Sequence, residues 1–449
     1  MTPAPLAASP RPTARVAHAR SARPRCRYTA GSATRGTASS TFICAGRCFP
    51  RSGSGTTASS CASSSGCVWG CPTDFRDSPA EAEFRSRLRA WIAEHNPGLP
   101  VSSTDDEYWA RQADWHTALY NAGFFGLSWP SRFGGHELPA VFDVILDEEL
   151  AAAGAPPRPS LGYLVQGITT HASGAVQQRF LPGLISGRER WCQGFSEPDA
   201  GSDLASLRTT AIRDGDEYVI HGHKIWTSYS DVADWCFLLA RTDPDVPKHK
   251  GLSAFAVPMR QRGIEQYPLR MINGITREFG QVVFDGARVP AENMIGKPGE
   301  GWRIAMTIVS HEREPSEVGY VARYVKTVKD LEATVRAKPG AFRSDQREAV
   351  AWAYVQAEML RLHVRRRLSE RLDGVDHGPG GSIDKILMTW VEQTVGAAAL
   401  SVAGSHAVVD GDDVALKIYL YSRAQSVMGG TSQIQKNIIA TRILGLPAT

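Results

Sequence analysis

Residues 1–73 contain no Asp, no Glu and no Lys; nine Arg carry all of their fixed charge, and the first carboxylate is Asp74. Subtracting those nine from the chain's net +4 leaves about −5 for residues 74–449. A mildly acidic body lacks the basic face that a nucleic-acid enzyme needs, and that class is excluded. Cysteine is scarce in the body too. Six of eight (Cys26, Cys44, Cys48, Cys61, Cys67 and Cys71) precede residue 73, which leaves only Cys192 and Cys236. Two thiols in so long a body suit a reducing cytoplasm and require no disulfide. No apolar run approaches the roughly 20 residues of a membrane helix. The expectation is a soluble, cytoplasmic protein whose membrane contact, if it has one, is peripheral.

What residues 1–72 do contain is Ser, Ala, Arg, Gly and Thr with little apolar periodicity. Such a segment buries too little surface to offset the entropy of ordering it. Their Arg- and Ser-rich, acid-free composition is shared by organellar transit leaders. The spacings Cys44-x3-Cys48 and Cys67-x3-Cys71 have no accompanying His pattern for a metal. The segment reads as a disordered leader or an over-extended start, with Val68 a candidate non-Met start, since Met259 is the first Met after Met1.

The body changes character twice, which predicts an α+β chain of three domains. Residues 73–188 read as an N-terminal α-helical domain. Ser78-Pro79-Ala80-Glu81 offers an N-cap, a proline at the first helical position and a capping-box Glu. Apolar stripes follow at Phe84, Leu88, Trp91 and Ile92, at Tyr108, Trp115 and Leu119, and at Phe142, Ile145, Leu146 and Leu150. In residues 189–297 the period falls to two, predicting a β-barrel-like middle domain. Thr209–Arg213 and Glu217–Gly222 flank an Asp-Gly-Asp turn, and Trp235–Arg241, Leu252–Val257 and Gln281–Phe284 follow as strands. Residues 298–449 read as a C-terminal four-helix bundle, with segments near 301–337, 344–373, 382–409 and 413–445.

Two blocks carry chemistry. The first is Trp191-Cys192-Gln193-Gly194-Phe195-Ser196-Glu197-Pro198-Asp199-Ala200-Gly201-Ser202-Asp203. Its small residues let backbone N–H groups approach a phosphate, and its hydroxyls add donors. A hairpin later, Lys224-Ile225-Trp226-Thr227-Ser228 offers a flat indole and two hydroxyls, suited to a planar ring. The second block is Met428-Gly429-Gly430-Thr431-Ser432-Gln433-Ile434-Gln435, in which Thr431 can cap a helix whose first turn holds Gln433.

Together, and in this order, these blocks resemble the flavin-binding segment and the C-terminal Gly-Thr-Ser-x-Ile-Gln motif of the acyl-CoA dehydrogenases. The resemblance runs over roughly residues 74–447 and takes in Gly126-Leu127-Ser128-Trp129-Pro130, Phe133-Gly134-Gly135, Val289-Pro290 and Gly299-Glu300-Gly301-Trp302. It implies an FAD enzyme of fatty-acid or lipid metabolism that desaturates an acyl-CoA between Cα and Cβ. It also implies electron-transfer flavoprotein as acceptor and a homo- or heterotetramer. Carried over by position, Ser196 meets the flavin N5/O4 edge and Ser202 the pyrophosphate. Gln193 and Phe195 give backbone contacts, and Trp226, Thr227 and Ser228 lie against the ring. Gly430, Thr431 and Gln433 belong to the nucleotide contacts near the C-terminus. The chain departs from many members at Val335-Arg336-Ala337-Lys338-Pro339-Gly340, where an Arg-Lys-x-Phe-Gly segment would hold a neighbour's pyrophosphate.

Removing an α proton needs a carboxylate. Many members carry it just before the Gly-Thr pair, where this chain has Gly429, whose backbone N–H is left to polarise the thioester carbonyl. Members for branched, long or bulky acyl groups instead place a Glu-Arg pair on the first bundle helix. Ser310-His311-Glu312-Arg313 matches that pattern, which makes Glu312 the expected base and His311 structural. Pro315 is expected to kink that helix beside it. Two other readings share the scaffold: an acyl-CoA oxidase, and a non-catalytic or partner-dependent subunit of a heteromeric dehydrogenase. No metal site is expected.

Overall fold

Ser78 caps the first helix as its sequence predicts. Its hydroxyl accepts the Glu81 N–H at 3.3 Å, and its own N–H donates to the Glu81 carboxylate at 2.8 Å. The computed structural model of the chain describes residues 76–98, 105–274, 278–312, 320–375, 378–411 and 413–447. The leader, and the expected kink at Pro315, lie outside the described residues.

Among the described residues five α-helices come first: α1 (Pro79–His95), α2 (Asp105–Asn121), α3 (Val141–Ala152), α4 (Gly162–His171) and α5 (Gly174–Ser186). Phe84, Leu88, Ile92, Trp115, Leu119, Ile145, Leu146 and Leu150 are buried in one core, the faces that the 3.6-residue period marks. That core also takes in Ile304, Ala305 and Ile308 of α6 (Gly301–Glu312), a helix that precedes the bundle in the chain but packs on the N-terminal helices.

The middle segment is one eight-stranded sheet. Its strands are β1 (Trp191–Gly194), β2 (Thr210–Asp214), β3 (Glu217–Ser228), β4 (Trp235–Arg241), β5 (Leu252–Pro258), β6 (Ile264–Leu269), β7 (Phe279–Pro290) and β8 (Met294–Ile295). The order is β6-β7-β3-β2-β4-β5-β8, with β1 parallel beside β4, so that Cys192 faces Cys236. The β2–β3 hairpin turns at Gly215, whose φ of 62° is left-handed. The long β3–β7 pair slips register twice, the second time between Lys224 and Thr227.

The remaining helices are α7 (Tyr320–Ala337), α8 (Ser344–Leu372), α9 (Gly381–Ala403), α10 (Ser405–Asp410), α11 (Val414–Ala424) and α12 (Ser432–Ile438). A second interior forms where Val328, Ala353, Leu360, Val391 and Val395 meet across α7, α8 and α9. Two segments expected to be continuous are broken. Gly404, at φ 74° and ψ −160°, separates α9 from α10, and a turn with left-handed Gly429 and Gly430 separates α11 from α12. Among the described residues one helical stretch, Gly378–Ala403, is long and apolar enough to cross a membrane, but half of its apolar window is buried against the protein. It also carries buried Asp384, Lys385 and Glu392, which have partners on α7, α8 and the turn after α11.

Candidate active site

The first chemical block leaves β1 and folds back at once. Glu197 and Ala200 exchange backbone hydrogen bonds, each 3.1 Å, closing a tight turn whose tip is Pro198-Asp199. Beyond it Gly201 and Ser202 are exposed, and a Cβ on Gly201 would meet nothing within 4 Å. Ser196 is half-buried, and its carbonyl accepts the Ile225 N–H at 3.0 Å, which joins this block to β3. Gln193 is half-buried in β1, and Phe195 packs its ring on Phe237.

The junction is made by a residue pair that the motif reading passed over. Lys224 is fully buried, and its ammonium donates to Glu197 at 2.9 Å and to the Phe195 carbonyl at 3.0 Å. The other Glu197 contacts are the backbone N–H groups of Arg208 (2.6 Å) and Thr209 (2.8 Å). Burial alone would raise the Glu197 carboxyl; Lys224 and those donors outweigh it and hold the group below its ordinary value. A signal was present. Tyr218 and Ile220 set the inward alternation of β3, and Lys224 falls on that face, where a charge requires a partner.

Strain marks the end of β3. Among the described residues three non-glycines have left-handed φ, and two of them, Trp226 (59°) and Tyr229 (61°), flank Thr227-Ser228. The Trp226 ring is 60% exposed and stands edge-on to Phe279, with centroids 6.3 Å apart. The expected ring contacts fall on two faces: Trp226 and half-buried Ser228 on one, fully buried Thr227 on the other, with its Oγ1 lacking a partner. An exposed indole, an open glycine turn and adjacent hydroxyls fit a planar nucleotide cofactor.

The second block is knit mainly to itself. Thr431 caps α12 by accepting the Ile434 N–H at 3.2 Å, and Gln435 donates to the carbonyls of Gly429 (3.1 Å) and Gly430 (3.3 Å). A Cβ on Gly429 would meet no atom within 4 Å, although its φ of 62° disfavours one. Gln433 lies in the first turn of α12. The turn is tied toward the sheet through α11, where Tyr421 donates to Glu278 at 2.8 Å.

Glu312 ends α6, half-buried, one turn beyond buried Ile308. Helices α4 and α6 cross closely. A Cβ on Gly167 would come within 2.7 Å of the Ile308 side chain, and His171 Nε2 lies 2.8 Å from Thr307 Oγ1. Tyr163 lies one turn before Gly167 on α4, and Glu312 one turn beyond Ile308 on α6. The electrostatics agree: burial first, and then Glu312, push the Tyr163 phenol well above its ordinary value. His311 is spent locally, its Nδ1 lying 2.9 Å from the Thr307 carbonyl.

Sequence models of the acyl-CoA dehydrogenase N-terminal, middle and C-terminal domains match residues 78–188, 192–287 and 299–444. This chain belongs to the acyl-CoA dehydrogenase family. It is 37% identical to the acyl-CoA dehydrogenase IpdE1 of Mycobacterium tuberculosis over 378 residues, covering 81% of this chain and 97% of the relative. The acyl-CoA dehydrogenase FadE26 of the same organism is 30% identical, with 82% and 98% covered. Among solved structures, the steroid ACAD Tcur3481–Tcur3483 superposes with a TM-score of 0.74 at 27% identity, covering 84% of this chain and all of that one. The ChsE4–ChsE5 complex from M. tuberculosis gives 0.71 at 27% identity, with the same coverage. The three-part fold of this acyl-CoA dehydrogenase, helices then sheet then helices, is that of its family, and the family implies a flavin.

Proposed function

We propose that this acyl-CoA dehydrogenase acts on a bulky acyl-CoA, with Glu312 as the base that takes the α proton. The observation that carries this reading is the position of Glu312: half-buried at the end of α6, where it acts on the Tyr163 phenol, in a chain whose alternative base position is Gly429. A half-buried carboxylate there is open enough to meet a substrate, and a carboxylate is what the α proton requires. The Gly429 N–H would polarise the thioester carbonyl, which acidifies the α carbon.

FAD, when bound, supplies the hydride acceptor. The residues for holding it are Gln193, Phe195, Ser196 and Ser202 beside β1, Trp226, Thr227 and Ser228 on β3, and Gly430, Thr431 and Gln433 before and within α12. The Lys224–Glu197 pair fixes the first group against the second and keeps the turn set for the cofactor. We divide the chain into a leader (1–72) and domains at 73–188, 189–297 and 298–449, assign it to the cytoplasm, and take electron-transfer flavoprotein as its oxidant. The steroid ACAD among its structural relatives supports a bulky acyl group.

A second reading, a subunit that works only with a partner in a heterotetramer, draws support from the likeness to the ChsE4–ChsE5 complex. One experiment separates the two. The purified chain is checked for a flavin spectrum and titrated under argon with a panel of acyl-CoAs. Bleaching by the chain alone supports a self-sufficient enzyme, and bleaching only after a partner is added supports the second reading. Fast reoxidation by air rather than by electron-transfer flavoprotein would mark an oxidase. A flavin-free protein that binds no acyl-CoA overturns the function.

A further inference from the structure

We propose that Tyr421 and Glu278 are positioning residues whose hydrogen bond sets the Gly429 turn against the strand end that carries Trp226, Thr227 and Ser228. The inference rests on the reading of Gly429 as the donor to the thioester carbonyl. That donor and the flavin contacts assigned to β3 lie on separate elements, one after α11 and the other in the sheet. Desaturation needs the α and β carbons held at fixed distances from base and ring, so the two elements must be set against each other.

On its bundle side the turn is already tied. α11 lies close on α9, where a Cβ on Gly396 would come within 3.2 Å of Tyr419 Cα and Ser422 Oγ. Buried Lys385 of α9 donates to the Gln425 carbonyl at 2.6 Å, and Thr389 Oγ1 donates to the same oxygen at 3.2 Å. An ammonium is favourable at the last carbonyls of a helix, which carry its negative end. From there the chain reaches Gly429 with little slack. The Val427 and Met428 N–H groups both donate to the Ala424 carbonyl, at 2.8 and 2.9 Å, and the Ser432 N–H donates to the Ser426 carbonyl at 2.9 Å. A displacement at the end of α11 is therefore passed on to Gly429.

Glu278 holds the sheet side. It directly precedes β7, and its carbonyl accepts the Tyr229 N–H at 2.9 Å. The next two residues, Phe279 and Gly280, pair with Ser228 and Thr227, and the Phe279 ring meets Trp226. Its carboxylate accepts the Tyr421 hydroxyl at 2.8 Å. Burial above all pushes that phenol well above its ordinary value, so it keeps its proton and remains the donor. The seat of α11 on α9 does not use this bond. What the bond adds is a direct link from the last turn of α11 to the strand end beside Trp226.

The test uses holoenzyme carrying Tyr421→Phe, Glu278→Leu, both together, or Glu278→Gln. Anaerobic bleaching gives kcat and KM, and melting and FAD titration of the apoprotein follow the fold. A third readout is the ionisation of a bound 3-thia-acyl-CoA, an analogue that does not turn over but whose α proton is acidified by the same carbonyl contact. Tyr421→Phe should lower both kcat and the ionised fraction of the analogue by ~10–100-fold, while KM and FAD affinity hold. Glu278→Leu should do the same, and the double variant should be no worse than either single, because all three lose one bond. Glu278→Gln keeps an acceptor oxygen and should recover most of the rate; with Tyr421→Phe it serves if the Leu variant does not fold. A bond that serves only the fold would lower the thermal midpoint and leave kcat and analogue ionisation unaltered. That result, or additive losses in the double variant, would overturn the inference alone. A wild-type enzyme that neither bleaches nor ionises the analogue would take the function down with it.

Discussion

Lys224 reaches Glu197 at 2.9 Å across the interior between β3 and the turn after β1, with no part of its side chain exposed. Removing one partner strands the other in a medium that cannot solvate it. Glu197→Gln should therefore destabilise the protein by about 3–5 kcal/mol. It should also release the 196–203 turn, so that flavin content falls further than stability alone accounts for. Thermal midpoints and flavin-to-protein ratios measured together check this. A variant that loses stability but holds flavin normally would show that the pair serves the fold and not the turn.

Trp226 makes the opposite prediction. Its φ of 59° is unfavourable for a side chain, costing roughly 1–2 kcal/mol. Trp226→Gly should relieve that strain and hold or raise the thermal midpoint of the apoprotein, while FAD dissociates more readily. Equilibrium dialysis of FAD together with apoprotein melting would detect the trade, and unaltered FAD affinity would remove the indole from the cofactor site.

His116 gives the acid limit. Burial pushes its imidazole down to about 4, with the Ile185 carbonyl 3.1 Å from Nε2 opposing the shift. A histidine with a depressed folded value is neutral in the native state, so the unfolded chain takes up the proton first. Its contribution is full above the ordinary value near 6.5 and is lost as pH falls from there toward 4, at most about 3 kcal/mol. Urea midpoints of wild type and His116→Gln across that window should converge as the pH drops. Parallel curves would assign the acid lability to other groups.

Glu312→Gln keeps the shape of the proposed base and removes the proton acceptor. Flavin and acyl-CoA should still bind, and anaerobic bleaching should slow by roughly 10²–10⁴-fold. Adding Gly429→Glu places a carboxylate at the family's other position. Space is open there, but the left-handed backbone at Gly429 works against a side chain, so recovery should be partial. Full-speed bleaching in the Glu312→Gln protein would sink the assignment.

What the sequence made legible followed from periodicity. The Ser78 cap, the buried stripe of α1 and the β2–β3 hairpin all repeat a local rule within a few residues, and all appear in the structure. Strand β6 was missed because Ile264–Leu269 holds Pro268 and has no fully buried position, which erases the contrast that marks a strand. Arg323 was missed for a different reason. On a helix that also carries Lys326, Lys329 and Arg336, one more cation reads as solvated surface, whereas its Nε is buried and its guanidinium lies over the Tyr320 ring, 4.3 Å from the centroid. The roles proposed for Glu312 and Gly429 come from family resemblance alone, since neither a helical Glu nor a turn Gly is informative by itself.

The close crossing of Gly167 and Ile308 bears on how such a protein can be taken apart. Sequence modularity divides the chain before α6, yet Ile304, Ala305 and Ile308 share their core with the N-terminal helices. A fragment that begins at residue 298 would carry the helix bearing Glu312 and leave behind the surface that seats it. In the exchange of segments between relatives, α6 would have to travel with α4, because the two surfaces match only as a pair.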